Sequence, residues 1–182
     1  KPKIANYPFT TITPNLGVVE GYGAKGFVIA DIPGLIKGAS VGKGLGDEFL
    51  RHIERTKLIV HFVDALSENI EQDFELVNKE MADYSKDILK KPQVLAISRI
   101  DLVSSEKRIE LREEAEKIIK KNKKFFKYNK KPNLFSAITH EGVRELVFEI
   151  ENGLNKTPEL EEKANIKTFT VDDVKRNLYE VE

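Results

Sequence analysis

The sequence predicts an α/β protein: a mostly parallel sheet with helices on both faces. Two continuous apolar, β-branched runs, Leu58 to Val63 and Val94 to Ile97, have the length and texture of strands buried on both faces. Apolar stripes at helical spacing alternate with them, and strands alternating with helices of about 10 to 15 residues build a parallel sheet. A glycine-punctuated pair of short runs near the start reads as a hairpin, which adds an antiparallel strand.

In chain order, Lys1 to Pro14 is rich in Pro, Thr and Lys, has no period of 2 or 3.6, and reads as an extended loop. Leu16 to Glu20 and Phe27 to Asp31 form the hairpin around Gly21-Tyr22-Gly23-Ala24-Lys25-Gly26. Five of the 11 glycines fall between Gly34 and Gly46, a segment with little to fix its backbone. Asp47 to Arg55 is a short helix, followed by the strand that ends at Asp64. Phe74, Val77, Met81, Tyr84 and Ile88 form one helical stripe, stopped by Lys91-Pro92. Leu111, Ala115, Ile118 and Ile119 form a second, on a helix opened by Ser104 or Ser105. Leu134-Phe135 is a short strand, and Val143, Leu146, Val147, Ile150 and Leu154 form the last stripe.

Composition narrows the classes. The 182 residues suffice for one full-sized domain and a short piece of another. No run approaches the roughly 18 apolar residues of a membrane span. The absence of cysteine removes disulfides and thiolate chemistry, and fits a reducing, cytoplasmic setting. His52, His61 and His140 are too scattered for a metal site. Thirty basic and 30 acidic side chains cancel, so charge has to be read locally.

In open parallel sheets, ligands sit beyond the carboxyl ends of the strands. The segments there are Asp31-Ile32-Pro33-Gly34, Asp64, Ser98-Arg99-Ile100-Asp101 and Ser136-Ala137-Ile138-Thr139. Asp31 has the chemistry to hold hydrated Mg²⁺, which takes only one or two protein oxygens, and Gly34 lets a backbone N–H approach a phosphate. Thr10, Thr11 and Thr13, about twenty residues upstream, carry neutral oxygens suited to the same ion. Asp101 can accept two hydrogen bonds from a guanine edge, which adenine does not match.

With Ala5-Asn6-Tyr7-Pro8-Phe9-Thr10-Thr11, Pro14-Asn15-Leu16-Gly17-Val18-Val19, Gly44-Leu45-Gly46 and Phe49-Leu50-Arg51-His52-Ile53-Glu54-Arg55-Thr56, these motifs closely resemble the Obg family of GTPases. The resemblance implies a P-loop-NTPase-like G domain that binds GTP and hydrolyses it slowly with Mg²⁺, as a switch in assembly of the large ribosomal subunit. It places Phe9, Thr10, Thr11, Ile12 and Thr13 around the nucleotide, with Thr11 as a Mg²⁺ ligand and Asp31 reaching the ion through water. Asp31, Ile32, Pro33 and Gly34 then open the second switch. Leu35 stands where many GTPases carry the water-orienting glutamine, so no catalytic side chain is identified. Ser98-Arg99-Ile100-Asp101 departs from the family's Asn-Lys-x-Asp: it keeps the guanine-reading aspartate but shortens one contact and changes the stacking cation. Ser136, Ala137 and Ile138 resemble the last base-contacting motif.

The phosphate-loop pattern Gly-x-x-x-x-Gly-Lys-Ser/Thr is absent. The expectation is therefore a G domain over 1–155 lacking its first strand and phosphate loop, a linker over 156–166, and the start of a C-terminal domain over 167–182. Such a chain, begun at Lys1, binds nucleotide poorly by itself. The expected partners are GTP or GDP and the large subunit or its RNA, with no membrane, for a cytoplasmic monomer.

Two alternatives compete. A related ATP-preferring family shares the Tyr-Pro-Phe and Gly-Leu-Gly text, and Asp101 and the Phe-Leu-Arg-His-Ile-Glu-Arg run argue against it. A non-catalytic RNA-binding module is the other. Its support is the missing phosphate loop, the altered base motif, and the eight lysines and no acid between Lys117 and Lys131, interleaved with Phe125, Phe126 and Tyr128. These aromatics serve either base stacking or the core. His61, inside an apolar strand, reads as a hydrogen-bonded core residue.

Overall fold

A computed structural model describes residues 4–5, 15–21, 24–31 and 55–158. The expected helix before Arg55, the glycine-rich segment from Gly34 and the region from 159 onward lie outside the described residues. The first sheet is antiparallel: β1 (Ile4–Ala5), β2 (Asn15–Gly21) and β3 (Ala24–Asp31), in that spatial order. Residues 4 and 5 were expected in a loop; they pair instead with Gly17 and Leu16, whose backbone groups would otherwise stay open on the edge of β2.

The second sheet is parallel, ordered β4 (Ile59–Asp64), β5 (Gln93–Ser98) and β6 (Asn133–Leu134). Its crossovers carry α1 (Ile70–Tyr84) and α2 (Ser105–Lys121), and α3 (Val143–Lys156) follows β6. The mostly parallel α/β class is as expected. The hairpin, however, is a separate sheet, with no strand pairing to β4, β5 or β6 among the described residues.

Local chemistry explains the helix ends. The Asn69 side chain accepts the Gln72 N–H at 2.9 Å and Ser104 accepts that of Lys107 at 3.3 Å, each satisfying a donor the first helical turn leaves open. The helix expected to continue to Lys91 stops at Tyr84. Ser85 is extended and its hydroxyl accepts the Asp87 N–H at 3.2 Å, so Ile88 reaches the core from a separate 3-10 turn, Ile88–Lys90. The last strand is shifted one residue from expectation, at Asn133–Leu134.

Two apolar layers clamp β5. Val63, Leu95 and Ile97 pack on one face against Phe74, Leu111, Ala115 and Ile118 of α1 and α2. On the other face Val94 and Ala96 meet Leu146, Val147 and Ile150 of α3, and Phe27 of the hairpin joins the same cluster. α3 is therefore the surface on which both sheets rest. Each fully buried Leu, Ile or Phe contributes about 1.5–3 kcal/mol.

β4 departs from the sequence reading. It is not buried on both faces: Phe62 is 50% exposed, and β4 pairs only with β5 among the described residues. His61 is in the core at 4% exposure, but neither ring nitrogen has a hydrogen-bond partner. It lies against the Phe74 ring, centroids 4.7 Å apart, where an imidazole is accommodated as an aromatic plate.

Candidate functional site

Parallel pairing puts Asp64 opposite Ser98 and Ile97 opposite Leu134, so the three loops beyond β4, β5 and β6 leave the sheet at one end. Hydrogen bonds join them. The Ala65 N–H donates to the Ser98 carbonyl at 3.0 Å, the Phe135 N–H to Ile97 at 2.9 Å, and the Ile100 N–H to Phe135 at 3.4 Å. The Ser98 hydroxyl also donates to the Val63 carbonyl at 3.2 Å. Ser98 thus ties β5 to β4.

Arg99 adopts φ 61°, a left-handed conformation unusual for a residue with a Cβ. Its guanidinium grips Asp64 through two nitrogens: Nε donates to Oδ1 at 2.9 Å and a terminal nitrogen donates to Oδ2. Asp64 Oδ1 also accepts the Leu66 N–H at 2.9 Å. The Arg99 head is therefore held over the end of β4. Asp101 follows in a 3-10 turn, Ile100–Leu102, half-buried, with Ile100 anchored in the core.

The third loop is built around Ser136, which is fully buried. Its hydroxyl oxygen accepts the N–H groups of Ile138 at 3.2 Å and Thr139 at 3.1 Å. Its own N–H donates to the Glu141 carbonyl at 2.9 Å. Ala137 is exposed, and its N–H has no partner among the described residues. Ile138 projects into solvent at 82% exposure. Gly142 closes the loop at φ +70°, and a Cβ there would run into the Leu134 carbonyl.

Asp31 ends β3, exposed, opposite Asn15 on β2. Phe9, Thr10, Thr11, Ile12, Thr13, Ile32, Pro33 and Gly34 lie outside the described residues. Ser98, Arg99, Ile100 and Asp101 are thus brought beside Ser136, Ala137 and Ile138. Among the described residues no group of three or more His, Cys, Asp or Glu could hold a metal. Asp31, the carboxylate that the sequence resemblance assigns to hydrated Mg²⁺, is the one member of its motif among the described residues. The Asp64–Arg99 pair was not legible in the sequence, because it depends on the β4–β5 register across 35 residues.

A parallel sheet whose strand-end loops are brought together at one end defines an α/β protein of the class in which ligands sit beyond the carboxyl ends of the strands. A family model described as 50S ribosome-binding GTPase matches residues 1–99, more than half of the 182. The GTPase Obg of Lachnoclostridium phytofermentans is 49% identical over 155 residues, covering 84% of this chain and 35% of that protein. The GTPase Obg of Clostridium tetani is 43% identical over 187 aligned residues, covering 100% and 41%, and that of Persephonella marina 46% identical, covering 88% and 46%. The chain spans between a third and a half of the length of these relatives. The chain belongs to the 50S ribosome-binding GTPase family, as an Obg-type member.

Proposed function

We propose that the protein containing this chain binds guanine nucleotide with Mg²⁺ and hydrolyses GTP to GDP slowly, as a cytoplasmic switch in large ribosomal subunit assembly. The observation that carries the nucleotide reading is the pairing of two loops: Asp101 stands beside the Ala137 loop through the Ile100–Phe135 hydrogen bond. Guanine presents two N–H donors next to a carbonyl oxygen. A carboxylate facing the donors and a backbone N–H facing the carbonyl complement that edge, and adenine has the wrong order of groups. Ser136 supports this use of the loop by absorbing the N–H groups of Ile138 and Thr139, leaving Ala137 as the free donor.

Mg²⁺, when bound, neutralises charge on the phosphates. Asp31 and Thr11 are the residues assigned to it, Asp31 through water. Leu35 offers no group to orient a water, in keeping with slow hydrolysis. The Ser98 and Arg99 side chains are engaged within the protein, with Val63 and Asp64, which favours weaker base binding than an Asn-Lys pair gives. The ribosomal role rests on the family match alone.

The test is an Asp101→Asn variant of the full-length protein. Losing a charge-assisted contact of about 1.5–3 kcal/mol weakens GTP about 10- to 100-fold, while XTP, whose base replaces an amino donor with an oxygen, gains relative to GTP. Unchanged GTP affinity, or tighter binding of ATP than of GTP by the wild type, would refute the assignment.

A further inference from the structure

We propose that the end of the parallel sheet opposite the candidate nucleotide site is a docking surface for the phosphate backbone of structured RNA. From 117 to 132 every exposed residue is a lysine: eight exposed positions, eight lysines. Lys117, Lys120 and Lys121 lie on the solvent face of α2, opposite Ala115, Ile118 and Ile119. The segment then passes beneath the sheet, where the Phe125 carbonyl accepts the Gln93 N–H at 2.7 Å at the start of β5.

What holds the segment is apolar. Phe125, Phe126 and Pro132 are buried between the lysines, and the Phe74 ring meets both phenylalanines. This fixes the backbone, so binding has only the lysine side chains to order. It also removes Phe125 and Phe126 from the surface and leaves the half-buried Tyr128 as the aromatic between the lysines, so base stacking is not the main mode of contact. None of the exposed large hydrophobic residues falls in this stretch, so the surface offers nothing to insert into a membrane or to anchor a protein partner. Charge is what it presents.

Glu113, Glu114 and Glu116 precede the stretch on α2, and no acid lies within it. Glu71 and Glu75 are both taken by Lys121, at 2.7 and 3.1 Å, Asp87 pairs with Lys90, and Glu149 accepts from the Asn129 amide at 3.2 Å. Lys127 lies close enough to donate to the Lys90 carbonyl at 3.4 Å, extending the patch to the turn before β5. Lys120, Lys123, Lys130 and Lys131 make no ion pair among the described residues and remain available to phosphates. A lysine surface whose phenylalanines are buried and whose exposed positions are all charged recognises backbone charge and shape, the terms on which proteins hold RNA helices. The proposal deepens the ribosomal part of the reading above and does not depend on the nucleotide part.

The experiment measures binding of the full-length protein to a labelled RNA duplex of about 16 base pairs by fluorescence anisotropy across a salt series. Combining Lys120→Gln, Lys123→Gln, Lys130→Gln and Lys131→Gln weakens binding at least about tenfold at about 50 mM KCl and makes the log–log salt slope shallower by about 3 to 4. A Lys123→Gln/Lys130→Gln double, which asks less of folding, gives an intermediate loss, and a Lys79→Gln/Lys156→Gln control gives none. GTP affinity stays unchanged in all three variants, which separates failure here from failure of the nucleotide site. The proposal is overturned if the quadruple variant, folded by circular dichroism, binds the duplex like wild type. It is equally overturned if wild type prefers phosphatidylserine vesicles or does not bind the duplex.

Discussion

Acidification should unfold this chain partly through one imidazole. Burial of His61 among Phe74, Val63 and the α1 face removes the hydration a charged ring needs, and lowers its pKa from 6.5 to about 4. Gln93 and Asp73 favour the protonated ring but do not offset desolvation. In the unfolded chain the ring takes up a proton below pH 6.5; in the folded chain it does so only below about 4. Stability contributed by the neutral ring is therefore complete above 6.5 and is lost as pH falls between these values, about 3 kcal/mol in total and about 2 kcal/mol by pH 5. The check is urea denaturation followed by circular dichroism at about pH 7.5 and about pH 5, for wild type and His61→Leu. The variant keeps an apolar side chain of similar volume against Phe74, so at neutral pH it stays within about 1.5 kcal/mol of wild type. On acidification wild type should lose about 2 kcal/mol more than the variant. Equal losses would show that His61 is not the group responsible.

Other expectations follow from single contacts. Asn78→Ala removes the acceptor of the Gln93 amide, 2.9 Å away, and strands that buried donor at a cost of about 1–3 kcal/mol, read as a lower urea midpoint. Phe126→Ala empties a ring-sized space beside Phe74 and costs about 3–5 kcal/mol by the same measurement. Gly142→Ala forces both a left-handed alanine and a collision with the Leu134 carbonyl; a loss above about 1 kcal/mol in thermal or urea unfolding is expected. Asp64→Ala breaks a half-exposed pair, so stability changes by under about 1 kcal/mol in denaturation even though Arg99 is released.

Much of the architecture was written in periodicity. The β5 run and the stripes of α2 and α3 each occur where apolar spacing puts them, because burial on a defined face is what that spacing encodes. Phe62 was not legible. A continuous apolar run predicts cover on both faces, whereas exposure is decided by which elements lie against the strand. The end of α1 was missed for a related reason: Ile88 continues the stripe in packing though not in backbone geometry. At the candidate site, the residue types at the strand ends were readable. The division of labour was not, since Ser136 absorbing two N–H groups and Arg99 turning onto Asp64 depend on loop conformation and register. The lysine stretch was legible as charge, but the side to which Phe125 and Phe126 turn was settled by the core.

The way the two sheets meet has a mechanical consequence. Hydrogen-bonded strands are locked in register, because a slip of one residue reverses every side chain. The hairpin bearing Asp31 touches the rest of the described fold through side-chain packing such as Phe27 in the α3 cluster, an attraction without direction. Among the described residues no ladder joins it to β4, so packing, and not strand register, sets its place against α3. The Asp101 and Ala137 loops are pinned to the parallel sheet by backbone hydrogen bonds. The end assigned to the base is thus held by backbone hydrogen bonds, and the strand that carries Asp31 by the packing of Phe27 in the cluster it shares with Val147 and Ile150.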